Sequence, residues 1–454
     1  MEPTPAIPSG AEPAPHRRRH DREIVRLAGP ALGALATEPL YVLVDTAIVG
    51  TLGVAALGGL AVAGIVLTAT FAIFNFLAYS TTGAVARHVG AEDRRAAAAR
   101  GVDGMWLAAL LGVGLAVVGI ALTPWIVRVM GASPQVAPYA ETYLRISLLG
   151  SPCVLLALAG AGYLRGLQNT RPTLWIALGA NALNLVIEVV LVFGLHTGIA
   201  GSAWGTVIAQ VVAMAVYLTI VARTARAAGA GLRPSVAGMR ETAIVGGHLI
   251  VRTASLLVAL LTATAVAARI SDTALAAHQI AFQVWIFLAL TVDAIAIAGQ
   301  AMVGRFLGAD DAPGARSAAH RMLEWGVLVG AGFGIVLFLV RPFVVPLFTS
   351  DPAVRHLASQ VLVIVALMQP INAAVFVLDG VLIGASDSRY LAIAMAVAGI
   401  GVFLPLALLV LVVHGGLLML WGAIVALMLA RVIGLGVRFR GSAWLVPGAV
   451  RGRR

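Results

Sequence analysis

The sequence predicts an all-α polytopic membrane protein whose twelve transmembrane helices form two homologous lobes of six. Three observations carry that prediction. Of 454 residues, 60% are hydrophobic and 11% charged, whereas a soluble domain carries about 25% charged residues. The chain is also duplicated. Val85-Ala86-Arg87-His88-Val89-Gly90-Ala91-Glu92-Asp93 returns 218 residues later as Val303-Gly304-Arg305-Phe306-Leu307-Gly308-Ala309-Asp310-Asp311. In the same register Ala56, Leu57, Pro124, Pro134, Val136, Gly166 and Arg171 return as Ala274, Leu275, Pro342, Pro352, Val354, Gly384 and Arg389. Finally, all 31 basic residues are arginine, and nearly all fall in short breaks between apolar runs.

The elements follow in order. Residues 1–22 are rich in proline and alanine, end near Arg17-Arg18-Arg19 and lack the apolar core of a signal peptide, so a disordered cytoplasmic tail is expected. Apolar runs of roughly 20 residues, each able to cross ~30 Å of hydrocarbon, lie near 24–50, 54–80, 101–122, 140–166, 172–194 and 200–222. The first two are separated only by Gly50-Thr51-Leu52-Gly53. The second set lies near 241–269, 274–302, 320–341, 355–383, 390–413 and 416–438. This divides the chain into an amino-terminal lobe, 23–222, a cytoplasmic linker, 223–240, a carboxy-terminal lobe, 241–440, and a basic cytoplasmic tail, 441–454. Gly229, Gly231, Pro234 and Gly238 mark the linker.

Arginine placement orients the bundle. Twenty-five of the 31 arginines fall at the termini and in the even-numbered connections, including Arg431 with the carboxyl-end group. The other side holds Arg128, Arg145, Arg269, Arg341 and Arg355, and Arg252 lies within a span. The positive-inside rule therefore puts both termini in the cytoplasm. Six spans per copy give both copies the same orientation, with a pseudo-two-fold axis along the membrane normal. The net charge of +11 follows from these loops and does not predict a nucleic-acid partner. The single cysteine, Cys153, gives neither a disulfide nor a thiolate metal site. No phosphate-binding glycine loop, histidine pair with metal spacing or serine nucleophile elbow occurs, so neither an enzyme nor an ATP-driven pump is expected, and no cofactor.

Ionisable side chains at bilayer depth cost on the order of 2.5–3.5 kcal/mol on insertion scales and are functional candidates by default. Here they are Glu38, Asp45, Glu188, Arg252, Asp293 and Asp379. Counting ~1.5 Å per residue from the outer turns puts Asp45, Glu188 and Thr206 each roughly 9 Å below the outer surface. Asn184 precedes Glu188 by one helical turn, and Asn181 extends the same stripe. Two carboxylates, an amide and a hydroxyl from three helices suit a small hard cation such as Na+, or a shared proton. Carboxylates held together in a low dielectric repel, which favours reversible protonation of the pair. The alternative is interhelical hydrogen-bond glue.

Glu38 shares the Asp45 face and precedes Pro39, so it either lines a cavity or bonds carbonyls freed by the proline. Matching depth suggests an Arg252–Asp293 ion pair, either structural or with a substrate or gating role. Asp379 is expected near the inner end of span ten, facing a vestibule or capping a loop. Pro30, Pro39 and Pro370 are candidate bends.

Several stretches resemble the multidrug and toxic compound extrusion (MATE) family, most closely its DinF-like branch, over about residues 24–440. They are Glu38-Pro39-Leu40 with Val44-Asp45-Thr46-Ala47-Ile48-Val49-Gly50, Arg165-Gly166-Leu167-Gln168-Asn169-Thr170-Arg171-Pro172, Asn184-Leu185-Val186-Ile187-Glu188, Ala277-His278-Gln279-Ile280 and Leu378-Asp379-Gly380-Val381-Leu382-Ile383-Gly384. The resemblance implies two six-helix lobes around a V-shaped cavity and export of cationic amphipathic compounds in exchange for protons or sodium ions. It assigns cation coupling to Asp45, Asn184, Glu188 and Thr206, and a bending role to Pro30. Glu188 departs from the family's usual aspartate.

The expected protein is thus a proton-coupled (alternatively sodium-coupled) antiporter, monomeric, in a bacterial inner membrane, acting on a small-molecule substrate. A flippase for a lipid-linked saccharide is the runner-up, disfavoured because only Arg252 stands out as an intramembrane cation. An ion channel is a further alternative.

Overall fold

The computed structural model describes residues 14–450, with side chains over 20–450. Eleven helices are long and apolar enough to span a bilayer, and a pair bent by 48° supplies a twelfth. In chain order they are α1 Ala14–Gly50, α2 Val54–Gly90, α3 Arg94–Val129, α4 (Ala137–Leu149 and Ser151–Gly166), α5 Arg171–Gly194 and α6 Ile199–Ala227. The second lobe has α7 Val236–Ile270, α8 Asp272–Gly308, α9 Ala312–Phe348, α10 Pro352–Gly384, α11 Ser388–Val412 and α12 Leu417–Arg440. No strand occurs among the described residues.

Helix starts are fixed by short polar side chains that satisfy orphan backbone donors. Asp93 accepts from Ala96 N at 2.8 Å and Asp311 from Gly314 N at 2.8 Å, so the two capping contacts repeat at the 218-residue offset. Ser271 and Asp351 cap α8 and α10 in the same way. Positive-φ residues outside glycine repeat too. Glu92 pairs with Asp310, Gln168 with Ser386 and His196 with His414, each pair matching within 3°. These residues end or follow helices in the left-handed conformation, so the two copies turn alike.

The lobes meet along the pseudo-two-fold axis at the arginine-rich face. There α2 and α8 cross so closely that a Cβ on Gly90 would overlap the Arg305 carbonyl, and one on Gly308 the Arg87 carbonyl. The contact is reciprocal, as the duplication requires. Three ion pairs join the lobes on the same face: Arg321–Asp21 at 2.6 Å, Arg305–Glu23 at 2.6 Å and Arg100–Glu241 at 2.7 Å. Asp21 also accepts from Trp325 Nε1 at 2.7 Å. Ala31 of α1 packs on Ala294 and Ile297 of α8, again in the half nearer the arginine-rich face. The close interlobe contacts thus gather toward the arginine-rich face. Leucine at position 308 should break the crossing: overpacking costs about 1–3 kcal/mol, so Gly308→Leu should lower the unfolding temperature of detergent-purified protein. An unchanged melting curve would contradict a tight crossing.

Several boundaries differ from the sequence expectation. Helix α1 begins at Ala14, inside the segment 1–22 expected to be disordered, because Asp21 and Glu23 dock on α9 and α8; residues 1–13 lie outside the described residues. The linker shortens to the 228–235 connection, which α3 holds through Asp103 Oδ1, accepting from Ser235 N at 2.7 Å, and Trp106, donating to Leu232 O at 3.0 Å. The tail over 441–450 folds back: Trp444 is fully buried on Phe439, and Arg87 donates to Val446 O and Gly448 O. Residues 451–454 lie outside the described residues.

Candidate functional site

Four helices of the first lobe bring their polar side chains to one buried point. Thr206 on α6 is its hub. Its hydroxyl donates to Ser202 O at 3.2 Å and accepts from Asn184 Nδ2 at 3.1 Å. Having only one proton, it must also accept from Tyr41 OH, 2.8 Å away. Ser202 Oγ donates to Asp45 Oδ1 at 2.6 Å. The Glu188 carboxyl lies against Asp45 and Ser202, and Tyr143 of the bent helix α4 reaches Ser202 and Thr206. Asp45, Asn184 and Glu188 are 4%, 3% and 1% exposed. The approach of α6 to α5 depends on Gly205, where a Cβ would press on the Glu188 backbone at 3.2–3.3 Å.

Both Glu188 oxygens and Asn184 Oδ1 are buried without a donor. Three orphan acceptors at one spot are rare in a folded interior. They ask for positive charge: a proton on one carboxyl completes a Glu188–Asp45 hydrogen bond, and a small hard cation takes the same oxygens. The unpartnered atoms are all oxygens, a donor set that suits a proton or an alkali ion better than a transition metal.

The structure therefore brings Asp45, Asn184, Glu188 and Thr206 together. Asn181 sits one turn away and donates to Thr37 O at 3.3 Å, tying α5 to α1. Glu38 is exposed, and of its two expected roles it does not bond the carbonyl freed by Pro39, for no hydrogen bond to its side chain occurs among the described residues. Pro30 and Pro39 lie inside an uninterrupted helix. Gln279 is exposed, while its neighbour His278 is fully buried and within 3.3 Å of Thr264 Oγ1.

The second lobe carries a different polar centre, and here two expectations are corrected. Arg252 pairs with Asp379 at 2.5 Å, not with Asp293. Asp379 neither lines a vestibule nor caps a loop, for it is 3% exposed and also takes Arg431 at 2.6 Å. Arg431, grouped with the carboxyl-end arginines by sequence, is a second intramembrane cation, 2% exposed. Asp293 lies nearby, within electrostatic reach of Arg252, Asp379 and Arg165. Shifted by 218, the first-lobe cluster Tyr41, Asp45, Tyr143, Asn184, Glu188, Ser202 and Thr206 falls on Ala259, Ala263, Val361, Val402, Leu406, Leu420 and Ile424. Shifted back, Arg252, Asp379 and Arg431 fall on Ala34, Ala161 and Ala213. Each lobe fills with apolar side chains where the other is charged.

The MatE family model matches residues 30–190 and 249–411, once in each lobe. The chain belongs to the MatE family. This MatE protein is 32% identical to Protein DETOXIFICATION 44, chloroplastic, of Arabidopsis thaliana over 93% of the chain and 82% of that protein. It is 30% identical to DNA damage-inducible protein F of Escherichia coli K12, covering 85% of each. Among solved structures, an outward-facing multidrug resistance MATE transporter of the MOP superfamily superposes with a TM-score of 0.85 at 21% identity, covering 94% of this chain and 96% of that one. The relatives are transporters, and this MatE protein is a multi-pass membrane transporter of that family.

Sequence reasoning missed Tyr41, Tyr143 and Ser202. Two carried a usable signal, since Tyr41 lies four residues before Asp45 and Ser202 four before Thr206, one turn away on the same face. Tyr143 lies before the bend in α4, at a depth that counting from the outer turn reaches, but its phenol carries no charge to single it out in an apolar run.

Proposed function

We propose that this MatE protein is a secondary antiporter that exports positively charged amphipathic small molecules in exchange for protons, by alternating access. The observation that supports it best is the set of three orphan acceptors on Asn184 and Glu188, held beside Asp45 and far from any fixed cation of the second lobe. Sodium is the alternative coupling ion at the same oxygens.

The proposed cycle runs through α1. Its outer half carries Tyr41 and Asp45; its inner end carries Asp21 and Glu23, latched to α9 and α8. A proton arriving at Asp45–Glu188 removes the carboxylate repulsion and lets α1 tighten on α5 and α6, which shrinks the first-lobe cavity and expels substrate. Release of the proton to the other side follows once the latch opens. By the excess of arginine the latched face is cytoplasmic, with both termini inside, in a bacterial plasma membrane. A complete ion site within one lobe of one chain supports a monomer as the working unit.

The second intramembrane cation, Arg431, revives the flippase reading, since a cationic cavity suits phosphate-bearing lipids. Against it, both arginines are spent on Asp379.

The test is transport by purified protein in proteoliposomes, with a pH or a sodium gradient imposed separately. Efflux of a fluorescent organic cation should follow the pH gradient and fall to background in Asp45→Asn. Undiminished pH-driven efflux in that variant would overturn the reading, and efflux driven by sodium alone would replace the coupling ion.

A further inference from the structure

A cavity of ≈ 1260 Å³ opens on the arginine-rich face, away from the candidate ion site. Its walls come from both lobes: the inner ends of α2 and α3, the start of α7, the α10–α11 turn, and the end of α12 with the folded-back tail. Five arginines line it against two carboxylates. Both carboxylates are already engaged, Glu241 by Arg100 at 2.7 Å and Asp387 by Arg438 at 2.7 Å. Arg87 is held by the carbonyls of Ala385, Val446 and Gly448. Arg240 and Arg389 remain exposed and without a partner among the described residues. His88, 7% exposed on the same wall, has an unpartnered Nδ1.

We propose that this cavity binds a phosphate-bearing anion that bridges the two lobes, with Arg240 and Arg389 as its principal ligands. The excess of arginine on this face has a general topological cause, but that cause does not place two unpaired guanidiniums of one lobe on the wall of a cavity that also carries a buried imidazole of the other. Guanidinium is suited to phosphate, giving paired N–H donors to two oxygens. The rim adds a second feature: Ile244, Ile393 and Val450 are 45%, 54% and 48% exposed beside the basic floor. Apolar side chains next to a basic pocket at the membrane boundary fit the headgroup of an anionic phospholipid whose acyl chains stay in the bilayer. Because the walls belong to both lobes, the occupant adds to the Arg100–Glu241 contact and favours the arrangement closed on this face.

The experiment compares unfolding temperatures of the full chain in nanodiscs of phosphatidylcholine alone and with phosphatidylglycerol, and in phosphatidylcholine with added inorganic phosphate or glycerol 1-phosphate. Phosphatidylglycerol should raise the midpoint by about 2 °C or more. Arg240→Gln/Arg389→Gln should lose that rise, while Arg223→Gln/Arg226→Gln, equally exposed on the same face but outside the cavity, should keep it. The same arginine-dependent rise with soluble phosphate alone would keep the phosphate site and assign it to a solute instead of a lipid. No rise with any of them, a rise that survives Arg240→Gln/Arg389→Gln, or equal loss in both double variants would overturn the proposal.

Discussion

Replacing Glu188 with glutamine is expected to reduce gradient-driven efflux to background and, in the same protein, to raise the unfolding temperature. The two effects share one cause. Glu188 is 1% exposed and neither of its oxygens has a donor, so the ionised form is costly to bury. Glutamine keeps the length and one acceptor, and supplies an N–H that reaches the Asp45 carboxylate lying against it. It copies the protonated state and cannot leave it. Relief of an unsatisfied buried group is worth on the order of 1–3 kcal/mol. If Asn184, Glu188 and Thr206 were only interhelical glue, the same change would lower stability and spare efflux. Thermal unfolding in detergent and proteoliposome efflux, run on one preparation, separate the outcomes. Ser202→Ala is the informative companion: it removes the 2.6 Å bond to Asp45 without touching a charge, and should weaken efflux less than Glu188→Gln does.

How much of this was legible in the sequence depends on what helical counting can reach. The 218-residue register predicts which turns repeat, because Asp93 and Asp311 cap their helices and Glu92 and Asp310 turn left-handed by the same local chemistry. Depth along a straight helix is countable, so Asp45, Glu188 and Thr206 could be placed at one level. Azimuth is not countable across separate helices. Asp293 has the right depth for Arg252, yet Asp379 is the residue whose side of α10 faces α7. Arg431 looked like one more arginine of the carboxyl-end group beside Arg438 and Arg440. Its burial follows from α12 packing on α10, a tertiary fact with no local sequence signature. The latch was hidden for a related reason, since Asp21 falls in the proline- and arginine-rich segment 1–22 that reads as a tail, and Glu23 at its edge, until both find partners on the other lobe.

The Arg252–Asp379–Arg431 triad makes the second large prediction. Asp379 holds two guanidiniums, at 2.5 and 2.6 Å, and the side chains of Asp379 and Arg431 are 4% and 2% exposed. Asp379→Asn would leave both cations without a directly paired counter-charge, with Asp293 only within electrostatic reach of Arg252. Removing one partner of a buried ion pair costs about 3–5 kcal/mol, so this variant should show a large fall in unfolding temperature or fail to accumulate in the membrane. Asp293→Asn breaks no direct ion pair among the described residues and should cost far less, which tests whether direct pairing or mere proximity sets the penalty. Arg431→Met should be milder than Asp379→Asn, because Arg252 still balances Asp379. Adding Arg431→Met to Asp379→Asn should recover part of the lost stability, since it removes one of the two stranded charges, and the two changes should be clearly non-additive. If Asp379→Asn were as mild as Asp293→Asn, the triad would not be the cement of the second lobe. A carboxylate with no donor is one whose removal should stabilise, whereas a carboxylate bound by two guanidiniums is one whose removal should unfold. Under the proposed coupling, the first lobe changes its protonation state and the second keeps its own.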